Sequence, residues 1–92
     1  MSKFIEGLNT AVFTTKYVIN KSYIANVFHY RDGSWQFNGI EGNLEDSDYK
    51  VVSLGEILSM DNSIEELANM PVGFCATRNN ESSQWEINPL DD

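Results

Sequence analysis

The sequence is 92 residues long, 41% hydrophobic and 12% aromatic, which suits one domain with a single modest core and excludes a disordered chain. Fourteen acidic residues face six basic ones, a formal charge of −8, which excludes the Lys- and Arg-rich surfaces that nucleic acid and anionic membranes require. The single cysteine, Cys75, excludes an internal disulfide, and no apolar run reaches the length of a signal peptide or membrane span, so a soluble cytoplasmic protein is expected.

Residues 1–9 read as a lead-in. Thr10 to Val18, rich in Val, Phe, Thr and Tyr, predicts a strand; Asn20-Lys21 predicts a turn, and Ser22 to Tyr30 a second strand. Asp32-Gly33 lies between two aromatic-rich runs, as a hairpin turn does. A loop of two or four residues places Tyr30 opposite Trp35 and Phe28 opposite Phe37. Phe28, Tyr30, Trp35 and Phe37 then share the core face, and His29, Arg31, Ser34 and Gln36 the wetter one. A three-residue loop would break this register.

Residues 39–48 combine two glycines with Glu41, Glu45, Asp46 and Asp48, which marks an exposed loop. Tyr49 to Leu54 reads as a short buried strand. Ser53 with Glu56, and Ser63 with Glu66, have capping-box spacing and predict two short helices, with apolar faces of Ile57, Leu58, Ile64, Leu67 and Ala68. Pro71 ends the second. Val72 to Ile87 reads as another hairpin around residues 79–82, pairing Phe74 with Ile87 and Ala76 with Trp85. Pro89 to Asp92 reads as a frayed tail.

The expected fold is therefore α+β over residues 1–92. An antiparallel sheet of about five or six strands, built from hairpins, carries the two short helices on one face.

Chemistry is sparse. His29 is the only histidine, and a general base needs an orienting carboxylate and a nucleophile in space. Asp32 is near in sequence but lies in the turn. A strand histidine beside Gln36 is the favoured reading. Cys75, between Phe74 and Ala76, reads as a quiet half-buried thiol, because Arg78 lies three residues on and so points to the opposite face. The segment from Glu41 to Asp48 has the composition of a calcium loop but lacks the ligand spacing. No metal-ligand cluster, phosphate-cradling loop or catalytic set is present in the sequence, so neither cofactor nor metal is expected. Exposed tyrosines at Tyr17 or Tyr23 would suit a partner hot spot, whereas Trp35 and Trp85 are read as core.

Phe13-Thr14-Thr15-Lys16-Tyr17-Val18, Val27-Phe28-His29, Asp32-Gly33-Ser34-Trp35-Gln36-Phe37, Val52-Ser53-Leu54-Gly55-Glu56-Ile57 and Met70-Pro71-Val72-Gly73-Phe74 carry a resemblance. In order and spacing, over roughly residues 12–87, the chain resembles a group of short bacterial proteins of unknown function. That group looks related to small immunity-type domains found beside polymorphic toxins. The resemblance implies protein binding without catalysis, and it carries over no catalytic residue.

The function expected is a non-enzymatic protein-binding module. Its acidic surface, with Glu41, Glu45, Asp46 and Asp48 and with Tyr17 and Tyr23, engages a basic protein partner. Two other readings stay open. One is a small-ligand or regulatory module with an aromatic pocket between sheet and helices. The other is a small enzyme using His29. A homodimer formed by pairing of sheet edges also stays open.

Overall fold

The computed structural model describes residues 2–21, 23–80 and 83–90. In chain order the elements are β1 (Ala11–Thr15), α1 (Lys16–Ile19), β2 (Asn26–His29), β3 (Trp35–Asn38), a 3-10 turn (Asp46–Asp48), β4 (Tyr49–Ser53), α2 (Leu54–Met60), a 3-10 helix (Asn62–Leu67), β5 (Phe74–Thr77) and β6 (Glu86–Pro89). The fold is α+β, and among the described residues the strands make one six-stranded sheet in the order β4-β1-β3-β2-β5-β6.

The sheet is mostly antiparallel, but β1 runs parallel to β3, with Phe13 beside Gln36. This corrects the expectation of a purely antiparallel sheet built from hairpins. The cause lies just after β1. The Thr15 hydroxyl accepts the Val18 N–H at 3.3 Å and caps α1, so helix begins where strand was predicted to continue. The chain leaves the sheet there, and β2 joins it on the far side of β3 instead of beside β1.

The β2–β3 hairpin also corrects its predicted register. The Tyr30 N–H donates to the Ser34 carbonyl and the Gly33 N–H to the Tyr30 carbonyl, both at 2.9 Å, which leaves a three-residue loop of Arg31, Asp32 and Gly33. Gly33 has φ +93°, which glycine adopts without Cβ strain. His29 therefore pairs with Trp35 and Val27 with Phe37. His29 is buried on the core face, and Phe28 and Tyr30 turn outward, the reverse of the expected faces.

The second hairpin pairs Phe74 with Pro89 and Ala76 with Ile87, two residues beyond the predicted register. A shift of two preserves which side chains share a face. Part of its expected turn, Glu81 and Ser82, lies outside the described residues. The sheet reaches into the segment read as a tail: Pro89 ends β6, and the Leu90 N–H donates to the Gly73 carbonyl at 2.8 Å. Asp91 and Asp92 lie outside the described residues.

The first predicted helix forms as expected, with the Glu56 N–H donating to the Ser53 hydroxyl at 3.2 Å. The second starts earlier and is a 3-10 helix, because Asp61 rather than Ser63 supplies the cap, its Oδ1 accepting the Ser63 N–H at 3.0 Å. One core cluster joins Leu54, Ile57, Leu58, Ile64 and Leu67 to the inward strand residues Val12, Val27, Trp35 and Phe37. Full burial of each large side chain contributes roughly 1.5–3 kcal/mol. The lead-in completes this cluster: Phe4 is buried and meets Trp35 edge to face at 5.2 Å. The Lys3 N–H and the Ser2 hydroxyl, bonded to Glu65 Oε1 at 2.9 and 3.1 Å, hold it there.

The other face of the sheet is different. Register aligns Val51, Phe13, Gln36, Phe28, Cys75 and Asn88 in one row across all the strands. None of them belongs to the core cluster, and Val51 and Phe13 are 62% and 42% exposed.

Candidate functional site

The loop of residues 39–48 leaves β3 and returns at β4. Its β4 end is anchored by Asp48, whose carboxylate accepts the Glu45 N–H at 2.9 Å and pairs with Lys16 Nζ at 3.0 Å. The backbone N–H of Glu45 and then the Lys16 ammonium hold the Asp48 carboxyl below its usual range. The hydrogen bond from Lys16, with the attraction of the same carboxylate, raises the ammonium in turn. Lys16 also lies over the Tyr17 ring, 5.3 Å from its centroid.

The six residues expected to bind a partner thus divide. Asp48 is buried and anchors the loop, and Lys16 joins it to half-buried Tyr17. Glu45 and Asp46 are exposed, and Glu41 is half-buried. Tyr23 belongs elsewhere: it is half-buried, and its hydroxyl donates to the Asn79 carbonyl at 2.8 Å.

Tyr23 lines a pocket of about 470 Å³ together with Val18, Lys21, Ile24, Met60 and Asp61. Among the described lining residues Tyr23 is the single aromatic one, and much of the lining is polar. Beside it, buried Arg78 joins three parts of the chain. Its Nε donates to the Ile24 carbonyl at 2.8 Å, Nη1 to the Ser63 hydroxyl at 3.0 Å, and Nη2 pairs with Asp61 Oδ2 at 2.6 Å. The guanidinium stacks on Trp85 at 4.2 Å from the ring centroid. Burial pushes the Asp61 carboxyl up, but the Ser63 hydroxyl and the Arg78 guanidinium outweigh it and hold the group below its usual range.

No family model, curated protein or solved structure matches this chain. His29 is committed to packing: its Nδ1–H donates to the Met70 carbonyl at 2.9 Å, and its ring stacks on Trp35 with centroids 3.8 Å apart. The Trp35 indole N–H in turn donates to Glu6 at 2.9 Å. Asp32 is exposed in the turn, where its Oδ1 accepts both the N–H and the hydroxyl of Ser34. These two Ser34 bonds hold its carboxyl below the usual range. Among the described residues, no group of three or more His, Cys, Asp and Glu side chains is placed to hold a metal. No helix among them is long and apolar enough to cross a membrane. Cys75 is a half-buried free thiol.

The sequence reading gave Lys16 and Asp61 no role and weighed Arg78 only as a neighbour of Cys75. A signal for Arg78 existed: it keeps the strand parity of buried Ala76, so an arginine was aimed inward and needed a carboxylate.

Proposed function

We propose that this chain is a non-enzymatic protein-binding module of toxin-immunity type, working in the cytoplasm, whose acidic loop engages a basic protein partner. The observation that supports this reading most is the anchoring of Asp48 by Lys16 and by the Glu45 N–H, which fixes the loop while Glu45 and Asp46 stay exposed. A loop already held in place loses little freedom on binding, so less of the interaction energy is spent on ordering it. The charge of −8 adds long-range attraction for a basic surface. In this reading the helical stretch 54–67 covers the inner face of the sheet and leaves the acidic end clear. The resemblance to immunity-type domains points the same way.

Affinity capture tests it, with the native chain and the double variant Glu45→Lys/Asp46→Lys run side by side at low and high salt. The native chain is expected to retain a basic protein at low salt, and the variant to lose it. Equal retention by both, or no retention at low salt, overturns the reading.

A further inference from the structure

β4 is an edge strand, and among the described residues no strand pairs with its outer side. All of it, from Tyr49 to Ser53, runs in unbroken antiparallel register with β1, without a bulge. The Leu54 N–H donates to the Thr10 carbonyl at 2.8 Å, which fixes the alternation of the ladder. Lys50 and Val52 turn their backbone groups toward β1, and Tyr49, Val51 and Ser53 turn theirs to the open side. Two of the outward groups are used locally: the Tyr49 N–H donates to the Asp46 carbonyl, and the Ser53 carbonyl opens α2. That leaves the Tyr49 carbonyl, the Val51 N–H and carbonyl, and the Ser53 N–H facing outward along one line. Val51 is 62% exposed, so a second chain can reach them.

The opposite edge differs. The Leu90 N–H bonds to the Gly73 carbonyl, so the outward positions of β6 are Ile87 and Pro89. Pro89 has no N–H to offer, and proline at such a position blocks the addition of a further strand. β4 has no proline, and Tyr49, Val51 and Val52 are good strand formers. Its one charge, Lys50, lies opposite Thr14 and so on the other face from Val51.

We propose that the basic protein partner adds an extended segment to the β4 edge as a seventh strand of the sheet. The open backbone groups set the shape of the occupant, since extended backbone alone meets all of them in line. Charge sets its chemistry. The loop that exposes Glu45 and Asp46 runs straight into Tyr49, so carboxylates stand at that end of the edge. The charge of −8 opposes a second copy here and draws in a segment rich in lysine or arginine. Such a segment places a cation at the Tyr49 end, an apolar residue opposite Val51 and an uncharged one opposite Lys50. The proposal rests on the acidic-loop reading for the kind of partner and adds how that partner is held.

The test is an amide NMR titration of the full chain, up to about 1 mM, with a synthetic peptide of alternating valine and threonine flanked by lysines. The Val51 and Ser53 amides are expected to shift and to gain protection from hydrogen exchange. The same peptide flanked by glutamates is expected to bind at least about tenfold more weakly. Val51→Pro removes an outward N–H that β1 does not use, and is expected to weaken the lysine peptide at least about fivefold. If that variant does not fold, the lysine peptide N-methylated throughout its core decides the matter on the native chain, where it is expected not to bind. No shift at Val51 and Ser53 overturns the proposal; if Glu45 and Asp46 shift instead, the acidic-loop reading survives it. Equal binding of both peptides overturns it, as does protection of Val51 that rises with protein concentration alone, which assigns the edge to a second copy. Unweakened binding to Glu45→Lys/Asp46→Lys, with Val51→Pro still impaired, supports the edge and removes the loop reading alone.

Discussion

Arg78 shows how one side chain can hold distant parts of a small chain together. Its guanidinium spans the carbonyl of Ile24, the hydroxyl of Ser63 and the carboxylate of Asp61, and its flat side rests on Trp85. The planar fork of an arginine suits this, whereas a lysine offers one point of charge. Truncation leaves Asp61 partly buried without its counterion, and the Ile24 carbonyl loses a donor. Arg78→Ala should therefore cost about 3 kcal/mol in urea unfolding, and Arg78→Lys should recover only a minor part of it. A cost below about 1 kcal/mol would show that water replaces the guanidinium in these contacts. Residues of this kind were hard to read from the sequence, because their partners lie 15 to 54 positions away. His29 illustrates the same difficulty. Alternation alone assigned its face, and one residue of loop length reversed the assignment.

The loop that reversed it also gives a test at the level of the hairpin. An added Cβ at Gly33 meets nothing within 4 Å, so any cost of Gly33→Ala comes from the backbone conformation at φ +93°. That cost is expected to be about 1–2 kcal/mol in thermal or urea unfolding. Gly42→Ala is the control: it meets equally open space at a glycine without positive φ and should be close to neutral. Equal behaviour of the two variants would contradict the three-residue loop. What was legible among the elements follows the range of the signals. The Ser53 cap, the strand-rich runs and the site of the first turn were all visible, because each depends on neighbours within a few residues. The Asp61 cap lay two residues upstream of the serine that the spacing picked out, and Asp serves as a cap equally well. Strand order was not legible, since the parallel β1–β3 pair depends on where the chain re-enters the sheet after α1. The candidate site was legible as acidic composition. The division of its carboxylates into one anchor and two exposed groups depended on Lys16, whose role appears only when the start of α1 and the 3-10 turn come together.

For the molecule as a whole, acid is the informative stress. Asp32, Asp48 and Asp61 are all held below the usual carboxylate range, so across the window just below about pH 4 the unfolded chain binds more protons than the folded one. Stability is then fully present above the unfolded pKa and is lost as pH falls through the folded values. Melting temperature measured from about pH 6 to pH 2 should fall in the acid range, and Asp61→Asn should lower it at neutral pH while making the acid decline shallower. An unchanged acid slope in Asp61→Asn would remove Asp61 from this linkage. Relief of self-repulsion among fourteen carboxylates works in the opposite direction, which makes the slope a direct comparison of the two effects. The parallel pair has a further consequence, in time. β1 emerges first but sits between β3 and β4, so its neighbours on both sides come later in the chain. The β2–β3 hairpin can close over its short loop in about 1–10 µs, whereas β1 must search across an intervening helix and strand before it finds Gln36. The first strand of the sheet is thus expected to be among the later pieces placed, since no local turn brings it to its partners.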